Sequence, residues 1–83
     1  MKIIYLVQTE EVDNIEKISE DEKAFQNKED AIAHFNETIE RIKSENNLED
    51  WEIDESMGEW CAYPDGQYLD KHFLVTWKAL PLH

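Results

Sequence analysis

The chain has 83 residues and sets 20 Asp and Glu against 8 Lys and Arg, a formal net charge of -12 at pH 7. That length holds one domain, 1–83, with a thin core, since a chain this short buries only roughly 60–65% of the surface its unfolded form exposes. The charge excludes direct nucleic-acid binding and anionic membrane surfaces, both of which need clustered Lys and Arg. Three Trp, three Tyr and three Phe exclude a disordered acidic tail.

The amino-terminal sequence MKIIYLVQTE holds a short apolar run, Ile3 to Val7, too brief for a secretory signal or a membrane span. Cys61 is the sole cysteine, so no disulfide forms within one chain. A soluble, cytoplasmic protein is the expectation.

Residues 3–8 predict a strand, β-branched and aromatic, with apolar side chains on both faces. Residues 9–23 are acidic and without a clear period, and predict mostly loop. Val12, Ile15 and Ile18 could anchor that segment over the sheet. A helix is expected from about residue 28 to 46, with Asn27 as its N-cap and Asp30 completing a capping-box-like exchange. Ile32, Phe35, Ile39 and Ile42 recur at helical spacing as one apolar stripe, widened by Ala31. Asn46-Asn47 offers a left-handed stop.

The period then changes to two. Trp51 and Ile53 alternate with Glu52 and Asp54, and Trp60 and Ala62 with Cys61 and Tyr63, either side of Gly58. Pro64-Asp65-Gly66 marks a turn. A last strand follows at roughly 71–80, with Phe73, Val75, Trp77 and Ala79 on one face and His72, Leu74, Thr76, Lys78 and Leu80 on the other, ended by Pro81. The expected fold is α+β: one helix packed on a four-stranded, mainly antiparallel sheet in the order strand–helix–strand–strand–strand. First and last strands are expected to pair at its centre.

The helix start NKEDAIAHF (Asn27 to Phe35) and the closing pattern WEI…W…AYPDGQY…HF.V resemble a group of small acidic proteins from bacteria and their phages. The resemblance covers most of the chain. It implies the strand–helix–meander fold and carries no functional residues.

Catalytic and cofactor motifs are absent from the sequence. His34, His72 and His83 have no metal-ligand spacing, and Gly58 and Gly66 make no phosphate loop. Cys61 stands among acids and aromatics, which favours a neutral, buried thiol over a nucleophile. Glu52, Asp54, Glu55 and Glu59, interleaved with aromatics, are the weak choice for an acid–base pair. No enzyme, metal or cofactor is expected.

Two surfaces remain. One helix covers one sheet face, so the second face, with Tyr63, Tyr68, Leu74, Trp77 and Leu80, is expected to bind a protein partner or a second copy as a homodimer. The acids Glu10, Glu11, Asp13, Glu16, Glu20, Asp21 and Glu22, with Glu37 and Glu40 on the outer helix face, suit a basic partner. The leading expectation is a non-enzymatic protein-interaction module. The alternative is a nucleic-acid mimic of the phage anti-defence type, whose carboxylates replace phosphates and block a basic nucleic-acid-binding surface.

Overall fold

The computed structural model describes residues 2–13, 16–64 and 71–82, with Lys17, Ile18 and Leu82 described by backbone alone. The elements run β1 (Lys2–Asp13), β2 (Glu16–Phe25), α1 (Lys28–Glu45), β3 (Trp51–Ser56), β4 (Glu59–Pro64) and β5 (Lys71–Leu82). They make one helix and a five-stranded sheet in the order β2-β1-β5-β4-β3, every neighbouring pair antiparallel. The first and last strands do pair near the centre.

Four strands therefore become five. The expected loop at 9–23 is the second half of β1 and most of β2. The hairpin closes at Asp13 opposite Glu16 and slips register once, between Glu11 and Val12. Beyond Gln8 both faces of this hairpin are largely polar, so side-chain alternation gives little signal there, and the pairing rests on the backbone ladder. The described residues of the segment extend the sheet in its plane. Of the residues expected to cover the second face, Val12 lies within β1, Ile15 falls outside the described residues, and nothing is described of the Ile18 side chain.

β5 continues through Pro81, which stands opposite Ile3. Its register with β4 runs only from Phe73 to Thr76, so the Pro81 stretch is an edge on that side, where a missing N–H is tolerated. The long dimension of the molecule, 43 Å, matches the ~40 Å expected of a 12-residue strand such as β1 or β5.

α1 begins after Asn27, which takes the N-cap backbone conformation (φ -108°, ψ 132°), and its carbonyl accepts the Ala31 N–H at 3.1 Å. Its side chain does not cap the backbone; the Asn27 amide donates to the Asp30 carboxylate at 3.3 Å. At the other end Asn46 is extended (φ -131°), not left-handed. It stops the helix by donating both its backbone N–H (3.1 Å) and its side-chain amide (3.0 Å) to the Ile42 carbonyl. The buried stripe is Ala31, Phe35, Thr38, Ile39 and Ile42; Ile32 is only half-buried at its margin. Thr38 is accommodated because its hydroxyl donates to the His34 carbonyl at 2.7 Å.

This stripe meets Val7 of β1, Trp60 and Ala62 of β4, and Phe73 and Val75 of β5, with Tyr5, Phe25, Leu48, Trp51 and Trp77 packed around them. Trp60, Val7, Val75 and Thr38 are the largest fully buried side chains. Directly opposed residues in antiparallel strands share a face. The register thus gives a helix-side face (Tyr5, Val7, Trp60, Ala62, Phe73, Val75, Trp77) and a second face on which no described element lies.

Candidate functional site: the open face of the sheet

Three lateral rows build the second face. The first runs Ser56, Glu59, Thr76, Gln8, Glu22 across β3, β4, β5, β1 and β2. The next runs Asp54, Cys61, Leu74, Glu10, Glu20. In the third, Glu52 stands opposite Tyr63, and His72 opposite Val12. The result is a shallow trough along β5. Its floor is Thr76, Leu74 and Cys61; carboxylates rise on both sides, Glu52, Asp54 and Glu59 on one and Glu10, Glu20 and Glu22 on the other. A depression of about 170 Å³ lies between Gln8, Thr9, Glu10, Glu20, Leu74 and Thr76. Towards the far end of β5 the floor continues through Leu6, Ile4 and Leu80, beside Lys78.

The walls are held in place. Gln8 donates its amide to Glu22 at 2.9 Å. The Tyr63 hydroxyl donates to Asp54 at 3.0 Å, and with Glu52 also hydrogen-bonded to it the phenol is held well above its ordinary value. His72 Nε2 lies 3.7 Å from Glu10, and its side chain is 10% exposed. Cys61 is buried at 4% exposure. Burial, followed by the Asp54, Glu59 and Glu10 carboxylates, pushes its thiol up to about 11. A thiol so placed stays protonated at neutral pH and is no nucleophile.

The site residues expected from sequence divide. Glu10, Glu20, Glu22, Tyr63, Leu74 and Leu80 share the open face. Glu11 (opposite Phe73) and Asp21 (opposite Thr9) belong to the helix side of the sheet, and Asp13 and Glu16 sit at the hairpin end opposite Lys71. Glu37 and Glu40 are exposed on α1, across the sheet from the trough, and Glu40 is 3.8 Å from Lys43. Tyr68 lies outside the described residues.

Trp77 does not belong to the second face. It stands beside Val7 against the helix-side core, with Lys28 Nζ 5.7 Å from its ring centroid, as the alternation Phe73, Val75, Trp77 requires.

Sequence reasoning placed Thr76 beside Leu74 but missed Gln8, Glu52, Asp54 and Glu59 as members of this surface. Strand parity was the signal available: Glu52 and Asp54 must point away from Trp51 and Ile53. His34, offered an i,i+4 carboxylate in Asp30, packs its ring against Phe25 at 5.3 Å. Among the described residues no cluster of His, Cys, Asp and Glu is arranged to hold a metal ion. No described helix is long and apolar enough to cross a membrane.

No family model, curated protein or solved structure matches this chain.

The chemistry of the face follows from its residues. It offers hydrogen-bond acceptors and negative charge at the sides and apolar surface on the floor. That combination is complementary in charge and polarity to a cationic, partly apolar surface.

Proposed function

We propose that this protein is an acidic interaction module that binds a basic partner protein through the open face of its sheet. One observation carries the reading: a sheet face that no described element covers, whose floor is walled by Glu10, Glu20, Glu22, Glu52, Asp54 and Glu59. Apolar contact supplies affinity, while opposite charge speeds encounter and rejects acidic partners. A second copy is the poorer occupant. Two such faces would set carboxylates against carboxylates, and Lys2 and Lys78 are the basic side chains described there to offset them.

The test is a matched pair of charge-reversal triples with poly-lysine as the probe. Glu20→Lys with Glu22→Lys and Glu59→Lys alters the open face; Glu37→Lys with Glu40→Lys and Glu45→Lys alters the outer helix face. All six residues are exposed, and both triples change net charge equally. Loss of affinity concentrated in the first triple supports the reading. Equal losses would mean that poly-lysine senses only net charge, and the open face would lose its claim.

A second reading has a specific observation behind it. Glu20 and Glu22 on β2 and Glu52 and Asp54 on β3 repeat every second residue, placing carboxylates ~6.6 Å apart along two opposite strands of the face. Carboxylates in rows can stand in for phosphates and block a basic nucleic-acid-binding surface. Competition with duplex DNA for such a protein tests it. Displacement of the DNA that weakens steeply with salt favours mimicry; no displacement at low salt removes it.

A further inference from the structure

The width of the trough points to the shape of what lies in it. From Asp54 on β3 to Glu10 on β1 is three strand spacings, as is Glu59 on β4 to Glu22 on β2. At ~4.8 Å per spacing the walls stand about 14 Å apart. An α-helix with its side chains is about 10–12 Å across. The edges of the sheet, β2, β3 and the stretch of β5 beyond Thr76, would take an added strand beside the sheet, whereas the trough lies on its face. That face of β5 runs from His72 through Leu74, Thr76 and the exposed Lys78 to Leu80, about 26 Å at ~3.3 Å per residue, the length of an α-helix of about 18 residues, and the carboxylates flank its His72–Thr76 half.

Resting on the reading of this face as a basic-partner surface, we propose that the occupant is a basic amphipathic α-helix of the partner protein, laid along β5. Its apolar stripe meets the half-buried Leu74, Ile4 and Leu80, and Lys or Arg on its flanks reach the carboxylate walls. α1 of another copy is unsuited: its stripe is already buried, and its first turn and outer face carry Glu29, Asp30, Glu37 and Glu40.

The probe is a synthetic peptide of about 18 residues, Leu on one helical face and Lys on the rest. It is compared with a scrambled peptide of the same composition and with a version carrying Glu for Lys, each titrated into the full chain and followed by amide chemical shifts and calorimetry. The amphipathic Lys peptide is expected to bind about tenfold tighter than the scrambled one. It should shift the amides of Gln8, Leu74 and Thr76, and the Glu version should not bind. Leu74→Gln should weaken the amphipathic peptide more than the scrambled one. Glu20→Lys, on an exposed edge-strand residue, gives an independent loss if the core variant unfolds. Equal affinity for the scrambled peptide, with shifts on the same face, overturns the helix while leaving the basic-partner surface. Shifts confined to the outer face of α1, or no binding of either Lys peptide, overturn both.

Discussion

At single residues the structure turns on a few close fits. Gly58, in the β3–β4 turn, has φ +79°, and its carbonyl accepts the Trp77 N–H at 2.9 Å. A Cβ there would stand 2.9 Å from the Trp77 carbonyl oxygen. Both the backbone angle and the contact resist a side chain. Gly58→Ala is therefore expected to cost about 1–3 kcal/mol, read as a lower urea midpoint at unchanged slope.

Cys61 gives a second residue-scale expectation. Its folded value, about 11, lies above the ordinary 9.0. The thiol's contribution to stability is thus fully present below pH 9 and falls away as pH rises through 11. In the native protein near pH 8, iodoacetamide should modify Cys61 far more slowly than the urea-unfolded chain. Equal rates would show that the open face does not bury it.

Among the elements, β2 is the one that sequence concealed. Glu10 stands directly opposite Glu20 across the β1–β2 pair, an arrangement that costs stability. Glu20→Gln is expected to raise stability by about 0.2–1 kcal/mol in thermal or urea unfolding while weakening binding to a basic probe. A gain in stability with unchanged binding would make Glu20 an ordinary surface acid.

The helix and the β3–β4–β5 meander were legible because one covered face imposed a period: Phe35, Ile39 and Ile42 on α1, and Phe73, Val75 and Trp77 on β5. The same parity assigned Trp77 to the core, a stronger guide than the general tendency of Trp to anchor interfaces. The β1–β2 arm was not legible. Around Glu10–Asp13 and Glu16–Glu22 both faces are largely polar, so the pattern that marks a half-buried strand is missing. The remaining hint was turn chemistry in Asp13-Asn14. The site was half legible for the same reason. Acid content was plain, but which acids converge depends on cross-strand register, and register brings Glu52, Asp54 and Glu59 to the face that Glu10, Glu20 and Glu22 share.

For the whole molecule, one helix against a five-stranded sheet leaves one face to account for. On the proposed reading, the charge of -12 and a face that no described element covers oppose self-pairing and favour a cationic partner. Screening separates the two cases: at about 50 mM salt repulsion between copies is long-ranged, and at about 500 mM it is confined to a few ångströms. Multi-angle light scattering at both salts tests the central claim most directly. The account expects a 9.9 kDa monomer at each, with the open face free for a different protein. A dimer at both salts would contradict it, because the second copy would then be the layer that covers the sheet.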